Sequence, residues 1–204
     1  MCHLQKLCLP IVFFVVTLLL PTGCMSPGQG LSPSAIEQLR SGQTHEEVRR
    51  VFGTPKQSFT GSNGKQLDVF RVFLPKGNRT VGAIRIVEVR SLHVLYDPQD
   101  RVEKFMPHVG ELTGFVGLDN NWKSSVVLDA AKVSTIKRGV TSRMELIQSF
   151  GPATIEGLDV AGNPCLIWLF LAGHGLNMDH GRELFVQLDG YSLVGDYSLR
   201  EVQR

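Results

Sequence analysis

One pattern occurs twice in this sequence: THEEVRRVFGTP at residues 44–55 and SRMELIQSFGP at residues 142–152. Each begins with a hydroxyl residue three positions before a glutamate, the pattern of a capping box that satisfies free N–H groups at the start of a helix. Each ends with Phe-Gly and a nearby proline. This combination stops a helix because the glycine adopts a left-handed cap and the proline cannot continue the helix. The sequence therefore predicts the same short helix twice.

The segments around the two helices repeat as well. Three positions before each helix recur at a constant offset, Ile36, Leu39 and Gly42 matching Val133, Ile136 and Gly139. Five positions after each helix recur at a second offset, Leu92, Val94, Tyr96, Asp97 and Val102 matching Leu184, Val186, Leu188, Asp189 and Val194. Apolar residues at alternate positions predict strands with one buried face. The folded part of the chain is thus an internal repeat.

The composition is that of an ordinary folded protein. The chain has 204 residues, of which 43% are hydrophobic and 20% charged, enough to bury a sizeable core. The formal net charge of +2 becomes +1 when the N-terminal Lys6 is set aside. Such a small charge indicates neither a nucleic acid nor a strongly acidic partner.

The N-terminal residues have the pattern of an export signal. Lys6 is the only charged side chain before Glu37, and residues 7–20 form an apolar run interrupted only by Pro10 and Thr17. Fourteen helical residues span about 21 Å, which is less than the membrane hydrocarbon core of about 30 Å. The run therefore predicts a cleaved signal peptide rather than a membrane span.

Residues 20–24, Leu-Pro-Thr-Gly-Cys, resemble the lipobox of bacterial lipoproteins. The resemblance implies cleavage between Gly23 and Cys24, and a covalent lipid such as palmitate on Cys24. Met25 follows Cys24 in place of the aspartate that favours retention at the inner membrane, which favours an outer-membrane, periplasm-facing location. Cys165 would then be the one free cysteine of the mature chain, so we expect no intramolecular disulfide.

We predict an α+β fold of two tandem modules, each with two short helices packed on a small antiparallel sheet, after a cleaved lipoprotein signal peptide. The expected segments are a signal peptide at 1–23, a tether at 24–33, a first module at 34–106, a linker at 107–128 and a second module at 129–204. The linker is rich in Gly and Asn. A connection of that length is uncommon unless it packs across the modules or binds a partner.

The pattern of residues 39–55, its echo at 136–152 and the strand pattern at 92–102 resemble the SmpA/OmlA (BamE) family of outer-membrane lipoproteins. A tandem of such modules also resembles the secreted β-lactamase inhibitor proteins. The first resemblance implies a non-enzymatic scaffold or accessory lipoprotein that binds a protein of the outer-membrane envelope and assists outer-membrane protein assembly. The second implies an inhibitor-like module that occludes a periplasmic or secreted enzyme.

Basic residues concentrate in the predicted strands of the first module, which makes a candidate binding patch of Arg71, Lys76, Arg79, Arg85 and Arg90. Such a patch could meet anionic lipid headgroups or an acidic protein surface. The alternative is that these residues are ordinary solvent-facing positions of exposed strands. Partners are therefore expected to be a membrane, through the lipid, and a protein, with no nucleic acid and no small-molecule substrate.

Catalytic and metal-binding alternatives have weaker support. Cys165 with His174 could form a nucleophile and base, but Cys165 begins an apolar strand where a buried, inert thiol is expected. His174, Asp179 and His180 could bind zinc but lack a fourth ligand, and a polar hairpin loop is the competing interpretation. The repeated Asp97 and Asp189 precede predicted turns, where aspartate caps the backbone. We therefore predict no catalytic residue, metal or cofactor apart from the lipid.

Overall fold

The structure is a computed structural model that describes residues 31–76, 84–117, 121–126, 128–174 and 177–203. The first half contains α1 (Pro33–Ile36), α2 (His45–Phe52), β1 (Gln57–Thr60), β2 (Gln66–Lys76), β3 (Ile84–Tyr96) and β4 (Val102–Val116). A short β5 (Asn121–Ser124) joins it to the second half, which contains α3 (Ala130–Val133), α4 (Arg143–Phe150), β6 (Ile155–Leu158), β7 (Pro164–His174), β8 (Asn177–Leu188) and β9 (Val194–Gln203). The two halves therefore have the same order of helices and strands.

The capping boxes predicted for α2 and α4 are confirmed. The Thr44 hydroxyl accepts the Glu47 N–H, and the Glu47 carboxylate accepts the Thr44 N–H; Ser142 and Glu145 make the same reciprocal pair. Both helices end at a glycine with a φ of 79°, a conformation that residues with a side chain rarely adopt. Local sequence thus determines where each of these helices begins and ends.

The two aspartates that precede the last strand of each half form turns, as the sequence predicts. One carboxylate oxygen of Asp97 accepts the N–H groups of Gln99 and Arg101, and Asp189 does the same for Tyr191 and Leu193. These bonds satisfy backbone donors inside the turns. Both aspartates therefore have the structural task that the sequence predicts for them.

All nine strands belong to one antiparallel sheet, in the order β1-β2-β3-β4-β5-β7-β8-β9, with β6 paired to one end of β7. Three residues of β5 pair with β4 and three with β7, so this short strand joins the sheets of the two halves. The strands are 4 to 15 residues long, whereas the helices have only four or eight residues. The sheet curls and leaves β1 and β9 as its edges.

The predicted fold class, an α+β protein of two helix-plus-sheet modules, is therefore wrong. The structure is mostly β, with 54% strand and 15% helix, and forms one curled sheet instead of two small ones. The short helices do not form a full layer, because their apolar faces cover only part of a much larger sheet. The strands are also longer than the repeated positions indicate, because β3 begins well before them, at Ile84, and β4 continues well beyond them, to Val116.

Most of the segment expected to be a linker, residues 107–128, lies in strands. Residues 107–116 belong to β4, where Leu112, Gly114 and Val116 are buried and the residues between them exposed. This alternation is typical of a strand with one buried face. It is hard to recognise in the sequence because Gly114 occupies one of the buried positions. Trp122 of β5 is also buried, so its ring packs in the interior.

The two faces of the sheet have different cores. One face packs under the helices, with Leu92 and Val94 against α1 and α2 and Leu184 and Val186 against α3 and α4. The opposite face is an interior shared by both halves, because Val87 and Val89 of β3 belong to the same core as Ile167 and Leu169 of β7. We call this second face the inner face. The curl of the sheet brings the inner faces of the two halves into contact.

Two glycines permit the closest contacts between the halves. A Cβ added at Gly110 in β4 would lie 2.0 Å from the Thr154 carbonyl oxygen. A Cβ added at Gly157 in β6 would lie 2.4 Å from Cε1 of His93. Neither distance leaves room for a methyl group, so contact between the halves requires glycine at both positions.

We expect Gly110→Ala to destabilise the protein by about 2 kcal/mol, because the added methyl pushes β4 away from the backbone of Thr154. Gly190→Ala is the matched control, since a Cβ there would meet nothing within 4 Å, and should change stability by less than about 0.5 kcal/mol. Urea unfolding of the purified protein measures both. Equal stability of the two variants would contradict the close packing of the halves.

Candidate functional site

The residues of the predicted basic patch do not form an open basic surface. Arg71 and Arg85 are buried in the sheet. Lys76 and Arg90 both form ion pairs with Glu88, and Lys76 also pairs with Glu111. Arg79 lies outside the described residues. The four placed cations are thus part of the sheet's own packing and ion pairs.

The lipid site predicted at Cys24, with cleavage after Gly23, lies outside the described residues, as do the signal peptide and most of the tether. Among the residues that are described, no helix is long and apolar enough to cross a membrane. The lipid anchor therefore stays a prediction from the sequence.

The catalytic alternatives find little support in the structure. Cys165 is buried, and burial raises the pKa of its thiol, which disfavours the reactive thiolate. His174 Nδ1 contacts the side-chain oxygen of Asn121 at 3.2 Å, whereas the side chain of Asp179 is not among those described. Within the described part of the chain, no three His, Cys, Asp or Glu residues are grouped as a metal site.

A cleft lies between the two edges of the curled sheet and is lined by residues of both halves. It has a volume of about 300 Å³, within the range of small-molecule sites. Phe59 of β1 and Leu67 of β2 line one side, and Phe185 of β8 and Arg200 of β9 line the other. Both halves of the chain therefore contribute to it, and it exists because the sheet curls without closing.

A chain of three charged residues connects the halves beside this cleft. Glu183 is almost completely buried and pairs through one oxygen with Arg71, at 3.2 Å, and through the other with Arg200, also at 3.2 Å. Arg71 has a side-chain exposure of 9%, whereas that of Arg200 is 40%. Arg71 lies 112 positions before Glu183, so folding alone brings the two together. Both oxygens of the buried carboxylate are thereby neutralised.

Arg200 also contacts aromatic rings on both sides of the cleft. Its guanidinium carbon lies 5.3 Å from the ring centroid of Phe185 and 6.0 Å from that of Phe59. Both distances are in the range of cation–π attraction. Because Phe59 belongs to β1 and Arg200 to β9, this stack spans the gap between the two sheet edges.

His93 is a buried polar link between the halves. Its Nδ1 lies 2.9 Å from the Leu158 carbonyl oxygen and 3.1 Å from the Leu158 nitrogen, and its ring packs on Gly157. Burial lowers the pKa of His93 to about 4, an effect to which the charge of Arg71 also contributes. His93 is therefore neutral in the folded protein near neutral pH.

A second polar cluster lies under α2, away from the cleft. The buried carboxylate of Asp68 accepts hydrogen bonds from Ser58 and Arg49 and contacts His45 Nε2 at 2.6 Å, while His45 Nδ1 contacts Asp100 at 3.0 Å. Both ring nitrogens of His45 are thus engaged by carboxylates. The histidine has no free nitrogen for a substrate, so the cluster ties α2 to the sheet and to the following turn.

The cleft was not predicted from the sequence, because its residues come from seven separate strands and the turn between β6 and β7, and match no local motif. One signal was present: Arg71 and Glu183 interrupt apolar strands at positions that alternation assigns to a buried face. A charge at a core-facing position requires a partner, so these residues mark polar contacts between distant strands.

Comparison with protein-family models, with curated proteins and with solved structures finds no match to this chain. The resemblance to the outer-membrane lipoprotein family therefore stays a prediction from the short motifs of the sequence.

We expect Glu183→Gln to destabilise the protein by about 3 kcal/mol, because it leaves two arginines without their shared anionic partner. Arg182→Gln is a suitable control, since Arg182 pairs with Glu201 on the exposed side of the same strand. Denaturant unfolding curves compare the two. An unfolding free energy of Glu183→Gln within about 0.5 kcal/mol of the native value would show that the buried pairing is not needed.

Stability should fall as the pH falls from 6.5 to 4. In this window the unfolded chain protonates His93, with its ordinary pKa of 6.5, whereas the folded protein, with a pKa of about 4, does not. The unfolded state binds more protons, so the loss reaches about 3 kcal/mol. His93→Asn should flatten this part of the stability profile, measured by urea unfolding at a series of pH values. An unchanged slope in His93→Asn would assign the effect to other groups.

Proposed function

We propose that this chain is a lipid-anchored, non-enzymatic binding protein of the bacterial outer-membrane envelope, and that the cleft between the sheet edges is its binding element. The observation that carries the proposal is the cleft itself. It has aromatic walls, a volume of about 300 Å³ and a few fixed charges, which is the usual composition of a binding site.

The charged groups around the cleft favour binding over catalysis. Glu183 is neutralised by two arginines, and Asp159 accepts the backbone N–H groups of Ala161 and Asn163. The Nδ1 atom of His93 contacts the backbone of Leu158. A general acid or base needs an atom within hydrogen-bonding reach of the substrate, and both carboxylates are already occupied by other donors. Nε2 of His93 is buried and has no partner among the described residues.

Support for the anchor and the location comes from the sequence. The apolar run before the Leu-Pro-Thr-Gly-Cys motif ends at Cys24, and the folded part begins near Pro33 after a short tether. Several acyl chains on one cysteine hold a protein firmly, since each buried methylene contributes about 0.8 kcal/mol. An anchor also raises the local concentration of the cleft near other envelope proteins. The family resemblance favours a partner in outer-membrane protein assembly.

The test is a crosslinked pull-down of the tagged, full-length protein from cells, followed by identification of captured proteins. Ala161→Trp should reduce recovery of the specific partner at least tenfold, because Ala161 is exposed and lines the cleft, which the indole would fill. Ala131→Trp, the same change at an exposed position of α3, should leave recovery unchanged. Cys24→Ala should abolish labelling with palmitate and lower recovery of envelope partners.

Two results would contradict the proposal. Equal recovery by Ala161→Trp and Ala131→Trp would exclude the cleft as the binding element. Recovery of one soluble enzyme by both the native protein and Cys24→Ala would instead favour the inhibitor-like alternative, in which anchoring plays no part.

A further inference from the structure

The carboxylates that line the cleft already have donors. Glu183 pairs with Arg71 and Arg200, and Asp196 pairs with Arg138. The carboxylate of Asp159 accepts N–H groups of its own turn and the side-chain amide of Gln187. A cationic ligand would have to displace these donors, because none of the three lining carboxylates is unpaired.

The guanidinium groups beside the cleft have unsatisfied donors. Among the described residues, Nε and Nη2 of Arg71 and Nε of Arg200 have no hydrogen-bond partner. Two guanidinium groups share the single carboxylate of Glu183, so this cluster carries one excess positive charge. Buried N–H groups without partners are unfavourable, and an acceptor with negative charge would stabilise them.

Most of the remaining cleft wall is apolar, although Gln57, His93 and Ser198 also line it. Phe59, Leu67, Val69, Leu158 and Val160 form one hydrophobic cluster with Leu95, and all except Leu95 line the cleft. Phe185 and Ile167 contribute from the second half. The part of a ligand that packs against these residues should be apolar, because a polar group there would lose its hydration without gaining a hydrogen bond from them.

From these observations we infer that the cleft binds an apolar chain or side chain that ends in a carboxylate. The inference rests on the proposed binding role of the cleft and names the class of ligand. The carboxylate meets the half-exposed Arg200, whose planar guanidinium suits an anion with two oxygens, and the apolar body lies among Phe59, Phe185 and their neighbours. A fatty acid and the C-terminus of a polypeptide with an apolar last residue share this chemistry.

The test is isothermal titration calorimetry with the full-length protein held in lipid nanodiscs. Octanoate and octanamide form one pair of probes, and the peptide Gly-Gly-Gly-Phe with a free or an amidated C-terminus forms the other. Within at least one pair, the carboxylate should bind at least tenfold more tightly than its amide. If octanoate binds more tightly than the free peptide, the ligand is a fatty acid. If the free peptide binds more tightly, the ligand is a polypeptide terminus.

Arg200→Met should reduce the preference for the carboxylate to less than twofold while keeping the length and apolar stem of the side chain. Arg182→Met is the matched control, because Arg182 is similarly exposed and ion-paired but does not line the cleft, and its preference should equal that of the native protein. Ala161→Trp should abolish binding of all four probes by filling the cleft. Thermal unfolding of each variant verifies that it is folded.

The inference is overturned if the amides bind as tightly as the carboxylates or if Arg200→Met keeps the preference. It is also overturned if no probe binds while Ala161→Trp still prevents capture of a partner in cells. That last result would leave the proposed binding role intact. Equal recovery of the partner by Ala161→Trp and Ala131→Trp in cells would instead remove the binding role itself.

Discussion

The contact between the two inner faces of the sheet is the constraint on which the rest of the structure depends. Neither face has a helix layer, and each would expose a row of apolar side chains if the sheet were flat. Curling buries both faces against each other, with Val89 and Leu169 in one shared core. The contact tolerates charge only where it is neutralised, which is why Arg71 of the first half pairs with Glu183 of the second.

The cleft is a direct consequence of this curl. A sheet that closed completely would pair its first and last strands, but here β1 and β9 remain as edges and a gap lies between them. Unpaired edges invite association with other chains, and inward-pointing charges are one protection that proteins use. Arg200 on β9 is such a charge, and its stack with Phe59 and Phe185 holds it across the gap. The same residue that protects the edge thus gives the cleft its polar group.

The two halves differ most in the polar groups that lie under their second helices. In the first half, His45 and Arg49 bind the buried Asp68. Leu166 occupies the position of Asp68 in the second half, and there the first residue of α4, Arg143, pairs with Glu156 of β6 instead. Both arrangements tie the helix to the sheet, so one backbone accommodates either a buried ionic cluster or an apolar contact. The two halves keep the same backbone although these polar groups differ. The backbone therefore depends on caps, turns and strand pairing more than on these polar groups.

The local features of this protein follow from short stretches of its sequence. The capping boxes at Thr44 and Ser142, the glycine caps and the turns at Asp97 and Asp189 depend on residues at most a few positions apart, so they can be predicted without the fold. Only the tertiary structure decided that the strands form one curled sheet, that residues 107–116 continue a strand, and that Arg71 meets Glu183. These features depend on contacts between residues far apart in the chain, such as Arg71 and Glu183, which are separated by 112 positions. The pairing of strands and the packing of their faces choose among many such contacts, and no local pattern of residue types encodes that choice.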